Sequence, residues 1–273
     1  AKSGVGKADR LHAYHHGVDA APVKDRGYAP WDVERRSASW RATIIVMEST
    51  SELDMAALRR RLEAASAPDR AELMSAYLRN QFPFLGIGAK DRRAATRPTL
   101  VAAKTASTDE LIAFAAACWE EPEREFAYVA CDVLRTQAPR LEPRHLDAVR
   151  SLLTARSWWD TIDPLATRTV GTMVRTNPEL VGTMDRWVHS DDFWLARTAI
   201  LHQLLFGEAT DAQRLLSYCE ARAGDDEFFI RKAIGWALRQ YARVDPAAVR
   251  TFVVAHDGEL SGLTKREALK HLN

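Results

Sequence analysis

The chain has 273 residues, 47% of them hydrophobic, which is enough to bury one large core or two small ones. Its 38 lysines and arginines nearly balance 37 aspartates and glutamates, so the net charge of +1 does not by itself indicate a nucleic-acid or membrane partner. No apolar run approaches the ~18 residues of a membrane span. Three distant cysteines (Cys118, Cys131 and Cys219) lack metal-ligand spacing and are typical of a reducing compartment. We therefore expect a cytoplasmic protein without a membrane partner.

Residues 1–46 differ from the rest of the chain, because glycine, proline and charges are scattered there without a helical or strand period. We expect this stretch to be a flexible or non-native N-terminal extension. A short ATIIV run is its one doubtful strand. Three histidines, His12, His15 and His16, lack acidic or cysteine partners at ligand spacing, so we expect no metal there.

Helix after helix is predicted for residues 47–273, which we expect to form one domain. A cap followed by proline at residues 66–69 predicts a helix that runs through Asn80. A second cap at residues 108–110 stands ahead of another apolar-periodic run. Prolines stand at or near the start of four further runs: Pro122, Pro143, Pro178 and Pro246.

The predicted helices recur in pairs about 35–45 residues apart, which is the length of a HEAT or armadillo unit. Such pairs stack into a curved solenoid whose concave face can bind an extended partner. The sequence therefore predicts an all-α superhelical solenoid of HEAT-like antiparallel helix pairs, with a compact all-helical domain as the alternative. Because the net charge is close to zero, a DNA-binding face would have to come from cations gathered on one side.

The segment at residues 156–164, RSWWDTIDP, carries two tryptophans and two aspartates. On a helix, Trp159 and Asp163 are four residues apart and share a face. Trp158 points about 100° away, which suits the protein core. Asp160 lies off the Trp159 face, where it either caps the helix or meets solvent. Taken alone, such a segment is more often a core anchor with capping acids than a catalytic site.

A second segment, DDFWLAR at residues 191–197, places Trp194 and Arg197 three residues apart on a helix. An arginine one turn from an aromatic ring can stack on it and still offer donors to a phosphate or carboxylate. An ordinary surface arginine that packs on tryptophan is the alternative.

A third segment, at residues 227–241, has bulky groups on two faces of one predicted helix. One face is apolar, and the other carries Trp236 between Lys232 and Arg239. We expect the second face to stay out of the core, because two cations would otherwise be buried. Basic residues interleaved with an aromatic suit contact with a DNA backbone and a base or sugar.

Six segments resemble the AlkD branch of the DNA alkylation-repair glycosylases. They are AELMSAYLRNQFPFLGI (71–87), EPEREFAYVACDVL (121–134), SWWDTID (157–163), FWLARTAILHQL (193–204), EFFIRKAIGWALRQYA (227–242) and LTKREALKHL (263–272). Their common order, from about residue 50 onward, makes the match specific. The sequence has no phosphate-binding glycine loop and no HExxH, CxxC or GxSxG motif, which removes support for enzymes that depend on them.

The resemblance implies a solenoid whose concave, basic face binds duplex DNA. It implies a monofunctional glycosylase that hydrolyses the N-glycosidic bond of cationic purines alkylated at N3 or N7, such as 3-methyladenine and 7-methylguanine, and leaves an abasic site. Some members accept bulkier adducts, and the family acts without flipping the damaged base into a deep pocket. We expect a monomer, associated with the nucleoid of a bacterial cytoplasm, that needs no metal or cofactor.

The resemblance also implies a set of site residues. The catalytic positions are Asp163, Trp159 and Trp236. The positions expected to contact DNA are Arg197, Tyr77, Arg239 and Lys232. Among these, Arg197 is expected to hold the phosphate that flanks the lesion.

Two positions depart from the family pattern: Leu205, where a relative can have a lysine, and Gly88, where a polar residue is usual. Both departures concern the secondary DNA contacts and the lesion preference that the resemblance implies, and not the chemistry. Two alternatives remain for the function, which are a glycosylase for self-resistance to a DNA-alkylating natural product and a non-catalytic HEAT-repeat scaffold that binds DNA or protein. A scaffold has no reason to keep Trp159, Asp163 and Trp236 together.

Overall fold

The computed structural model describes residues 53–272, and every regular element in that range is helical. The helices are α1 (Met55–Ala64), α2 (Pro68–Tyr77), α3 (Ala89–Ala102), α4 (Thr108–Glu120), α5 (Arg124–Gln137), α6 (Leu146–Thr154), α7 (Trp159–Pro164), α8 (Gly171–Thr176), α9 (Val181–Trp187), α10 (Phe193–Leu201), α11 (Ala212–Ala221), α12 (Phe228–Tyr241), α13 (Pro246–Ala255) and α14 (Gly262–Leu269). A π-helix, Leu165–Val170, joins α7 to α8. The all-α class predicted from the sequence is confirmed.

Local sequence signals set most helix starts. Ser107 caps α4 in a reciprocal capping box with Glu110, one residue before the predicted cap. Helix α2 begins at Pro68 as predicted but ends at Tyr77. It stops short of Asn80 because Arg79 and Asn80 adopt positive φ angles of 58° and 55°.

Seven helices form a row in which each packs against the next: α1, α3, α5, α7, α10, α12 and α14. The remaining helices lie beside this row. Helix α4 packs on α5, α9 and α11 pack on α10, and α13 packs on α12 and α14. This contact pattern is that of stacked helix pairs, so the helical-repeat architecture predicted from the sequence is confirmed.

Helix α10 lies at the centre of the row and is buried along Trp194–Leu201. A helix that is apolar on every side belongs in a core. An aromatic cluster surrounds its first turn, where the Phe229 ring lies 4.8 Å from Trp194 and 5.3 Å from Trp158 between centroids. Each such aromatic pair contributes about 0.5–1.5 kcal/mol of stability beyond what the burial of its apolar surface contributes. The cluster joins α10 to α12 and to the residue before α7.

The loop between α2 and α3 is held by a buried carboxylate. Glu125 of α5 accepts backbone N–H bonds from Leu85, Gly86 and Ile87 at 2.9–3.0 Å. Gly86 has a φ of 83°, and a Cβ there would lie 2.0 Å from the carbonyl oxygen of Ala67. Only glycine fits such a position. The anchored loop fixes the end of α2 relative to α5.

The N-terminal stretch of the chain precedes the described range. The extension expected at residues 1–46, with its histidines and the ATIIV run, lies outside the described residues and stays a prediction. Within the described range, no helix has the length and apolar character needed to cross a membrane.

Candidate functional site

The two neighbouring tryptophans of the 156–164 segment have different environments. Trp158 precedes α7 with extended backbone and is only 3% exposed, in the aromatic cluster. Trp159 begins α7 and is half-buried. The edge of the exposed Tyr77 ring meets it, with centroids 6.0 Å apart and planes at 80°. Trp158 thus lies in the core as predicted, and the Tyr77 ring contacts Trp159.

Asp163, one turn after Trp159, is buried and paired with Arg197 of α10. The Arg197 Nε donates to Oδ1 at 2.8 Å and one terminal nitrogen donates to Oδ2 at 2.9 Å. The other terminal nitrogen donates to the carbonyl oxygen of Phe229 on α12. The pair therefore ties α7, α10 and α12 together at one point of the row.

All three nitrogens of the Arg197 guanidinium donate within the protein, and its side chain is 5% exposed. In this geometry the guanidinium is directed to Asp163 and Phe229, and the phosphate contact expected for Arg197 from the sequence stays a prediction. Within the described residues, the ring over which its guanidinium carbon lies is that of Phe229, 6.0 Å from the ring centre, and not that of Trp194 as the spacing suggested. A bidentate pair fixes both the position and the orientation of the carboxylate.

The backbone changes from α-helix to π-helix directly after Pro164, the residue that follows Asp163. Pro164 has no N–H to donate, so it interrupts the helical hydrogen-bond ladder at this point. Thr167 of the π-helix donates its hydroxyl to the carbonyl oxygen of Asp163 at 2.7 Å. Single π turns within helices occur frequently at functional sites. The interruption thus lies next to Asp163, the residue that pairs with Arg197.

A second arginine–aspartate pair holds the start of α7. Arg124 of α5 is fully buried and donates to Oδ2 and Oδ1 of Asp160 at 2.9 and 2.7 Å. Tyr128, one turn further along α5, donates its hydroxyl to Oδ2 at 2.8 Å. Burial and the Asp160 carboxylate raise the pKa of Tyr128 well above its usual value. Asp160 therefore neither caps the helix nor lies in solvent. Its carboxylate is hydrogen-bonded by two side chains of α5.

Sequence reasoning missed this network. Arg124 and Tyr128 stand one turn apart in an apolar run that contributed only to the family resemblance. A cation within such a run is the signal that could have revealed it, because a buried guanidinium requires a carboxylate partner.

Helix α12 carries the remaining predicted site residues. Trp236 is half-buried and lies two turns after Phe229, on the same face and ~10 Å along the axis. The Lys232 ammonium lies 3.0 Å from Glu267 of α14, and Arg239 bonds the other oxygen of the same carboxylate. The face expected to stay out of the core thus packs on α14.

Glu267 is shared by two cations, so the three groups together keep one positive charge. Burial acts to raise the pKa of Glu267, but the hydrogen bond from Lys232 and the charges of Lys232 and Arg239 outweigh it, and the pKa lies below its usual value. Gly235 permits the close approach, because a Cβ there would lie 2.6 Å from Cβ of Glu267. Both cations are therefore held in place beside Trp236.

No cluster of three or more histidine, cysteine, aspartate or glutamate side chains suited to a metal occurs among residues 53–272. The three cysteines are free and buried.

Comparison with known families decides which group of proteins this is. The model of the DNA alkylation repair enzyme family matches residues 58–272. The chain belongs to this family. A solved structure described as a predicted DNA alkylation repair enzyme from Enterococcus faecalis is 31% identical, with a TM-score of 0.71 and coverage of 76% of this chain and 96% of that chain. A comparison with curated proteins gave no match.

Membership of the DNA alkylation repair family assigns the protein a role in DNA repair, with DNA as its substrate. The matched range contains the whole candidate site, from Tyr77 on α2 to Arg239 on α12. Asp163, Trp159 and Trp236 of this repair enzyme lie on α7 and α12, two helices that both pack on α10 of the row.

Proposed function

We propose that the protein is a monofunctional DNA glycosylase. It hydrolyses the N-glycosidic bond of cationic N3- or N7-alkylated purines in duplex DNA and leaves an abasic site. The observation that carries the proposal is the Asp163 carboxylate, buried next to a half-exposed tryptophan and fixed at both oxygens by Arg197. A carboxylate held in one orientation beside an aromatic face suits the stabilisation of a sugar cation.

The chemistry places few demands on the protein. A purine alkylated at N3 or N7 is already cationic, so the glycosidic bond can break with its electron pair moving to the base and without protonation of the leaving group. Positive charge then develops on the deoxyribose, as in other glycosidic cleavages. Asp163 stabilises that charge and orients the water whose oxygen bonds C1′ and whose proton is released. No lysine attacks C1′, so the strand is not cut.

Aromatic faces complete the site. Trp159 and Trp236 pack on the deoxyribose and present electron-rich faces to its charge, worth ~0.5–2 kcal/mol each. Tyr77, whose ring meets Trp159 edge-on and is 60% exposed, contacts the DNA backbone beside the lesion. The lesion stays near the helix stack, without entry into a deep pocket.

The cations of the site have different tasks in this proposal. Arg197 orients Asp163 and is a positioning residue, because its three nitrogens are used within the protein. Lys232 and Arg239 keep one net positive charge after pairing with Glu267 and attract a DNA phosphate near Trp236.

The test is mass spectrometry of the bases released from duplex DNA methylated at N7 of guanine and N3 of adenine. Wild-type protein should release both bases and leave the strand uncut, and Asp163→Asn should fold and bind DNA but lose most of the release. A parallel substrate with bulky N7 adducts establishes the lesion range. No release from any of these substrates would favour a non-catalytic scaffold, and near wild-type release by Asp163→Asn would remove the aspartate from the mechanism.

A further inference from the structure

Two arginines pair with one carboxylate on α5, and a third stands on the neighbouring π-helix. Arg135 and Asp132 lie one turn apart on α5, with 3.1 Å between the guanidinium and the carboxylate. Arg92 reaches the other oxygen of Asp132 from α3, at 4.0 Å. Arg168 belongs to the π-helix, which packs against α5. We call Arg92, Arg135 and Arg168 the arginine cluster.

The arginine cluster has an excess of positive charge. Two guanidinium groups pair with Asp132 and Arg168 adds a third positive charge, which leaves two charges uncompensated by this carboxylate. Burial lowers the pKa of Arg168 below its usual value, repulsion from Arg135 adds to this shift, and Asp132 opposes it. A bound anion would relieve that repulsion.

Hydrogen-bonding capacity in the cluster is also unused. The Nε of Arg92 is buried and has no hydrogen-bond partner in the part of the chain that the structure describes. Its guanidinium carbon lies 4.6 Å from the centre of the Tyr128 ring, which holds the group in place. The Arg135 side chain is 38% exposed and the Arg92 side chain 12%, so solvent reaches the cluster mainly at Arg135. A guanidinium held in place beside a solvent-exposed one can contribute to a phosphate site at little cost in side-chain entropy.

The cluster adjoins the candidate active site along the row. Arg168 follows Asp163 by five residues, ~8 Å along a helix axis. That distance corresponds to roughly two steps of a DNA strand at 3.4 Å per step. On α5, Asp132 lies one turn after Tyr128, whose hydroxyl binds Asp160 at the start of α7. Duplex DNA lying across Trp159 would therefore bring a backbone phosphate within reach of the cluster.

We propose that the arginine cluster binds a backbone phosphate of the DNA a few nucleotides from the lesion. This inference rests on the proposed function, since it takes the surface around Trp159 as the DNA-binding surface. The phosphate adds its single negative charge to that of Asp132, so the excess in the cluster falls from two positive charges to one. Asp132 limits the strength of the contact and offsets the repulsion among the arginines before DNA binds.

The experiment measures the affinity of the full chain for an undamaged duplex by fluorescence anisotropy across a range of salt concentrations. Arg168→Gln and Arg135→Gln should each weaken binding several-fold, and each should reduce the slope of log K against log salt by up to about 1. Asp132→Asn should have the opposite sign and tighten binding, because it removes the acid that competes with the phosphate. A matched control is Arg186→Gln on α9, an exposed arginine that bonds Thr183, and its affinity should equal that of the wild type.

Wild-type affinity and salt slope in both arginine variants would overturn the proposal, as would weaker binding by Asp132→Asn with an unchanged circular dichroism spectrum. Base release by the wild type, measured in parallel, tests the proposed function separately. Base release by the wild type together with unaltered DNA binding by the variants would contradict only the proposed phosphate site. Absence of base release together with the expected changes in DNA binding would contradict the glycosylase proposal and support the phosphate site.

Discussion

The two ends of α7 carry the same kind of ion pair in different surroundings. Asp160 and Asp163 are three residues apart, and each is bound through both oxygens by a buried arginine from a neighbouring helix. Asp160 also accepts a hydrogen bond from Tyr128, while Arg124 contacts the Thr161 hydroxyl and the Arg156 carbonyl as well. Around Asp163, the described residues provide carboxylate donors from Arg197 alone.

This difference in hydrogen bonding suits the Asp160 pair to holding the helix in place and the Asp163 pair to taking part in the reaction. A carboxylate oxygen has two acceptor positions, so Asp163 keeps capacity on each oxygen for a water or for a developing positive charge. One acceptor position of Asp160 is already occupied by the hydrogen bond from the Tyr128 hydroxyl. Asp163 also shares its helix face with Trp159, whose ring is half-exposed. We therefore assign the fixation of α7 to the Asp160 pair and the reaction to the Asp163 pair.

The largest expected effect is on stability, at the Asp160 pair. Arg124→Met should lower the free energy of unfolding by ~3–5 kcal/mol, because it leaves the Asp160 carboxylate buried and uncompensated. Denaturant titration measures the loss. Arg135→Met is the matched control, since its pair with Asp132 is partly exposed and should contribute less than about 1 kcal/mol. Equal losses in the two variants would contradict a structural role specific to Arg124.

The next effect is on rate, at the Asp163 pair. Arg197→Lys keeps a positive charge but cannot hold both oxygens of the carboxylate, and misplacement of a reacting group by about 1 Å can cost ~10²-fold in rate. The single-turnover rate of base release should fall by that order, with much less change in the affinity for undamaged duplex. If the variant instead bound duplex DNA more weakly and released the base at an unchanged rate, the result would contradict a positioning role. It would support the phosphate contact expected for Arg197 from the sequence.

The smallest effect concerns the aromatic neighbours. Trp159→Phe and Trp236→Phe should each slow base release roughly 2- to 30-fold, which corresponds to the ~0.5–2 kcal/mol of a cation–π contact. Trp158→Phe is the control and should lower stability, while the release rate per folded molecule stays at the wild-type value. Slower release in the control alone would show that helical geometry had assigned the two adjacent tryptophans to the wrong faces.

Local patterns predicted much of this architecture. Apolar periodicity and caps predicted the helices, and the four-residue spacing of Trp159 and Asp163 placed them on one face, with Trp158 in the core. Pairings over long sequence separations could not be predicted in this way. Arg197 binds Asp163 across 34 residues, and Arg124 binds Asp160 across 36. A three-residue spacing from Trp194 indicated stacking for Arg197, but tertiary packing gave the arginine another partner.

The third segment shows the same limit. The stripe that carries Lys232, Trp236 and Arg239 was expected to avoid the core, on the ground that two cations cannot be buried without a partner. Glu267 provides that partner from α14, 28 residues beyond Arg239. A helical pattern reveals which residues share a face but not which element covers that face.

The most direct test compares base release by Asp163→Asn and Asp160→Asn under single-turnover conditions, with each rate expressed per folded molecule. We expect Asp163→Asn to lose at least ~10²-fold in rate while keeping its fold, because it removes the charge that stabilises the sugar cation. Asp160→Asn should lose stability and keep a rate within about tenfold of the wild type. Equal rate losses in the two variants, or a near wild-type rate in Asp163→Asn, would contradict the assignment of the chemistry to Asp163.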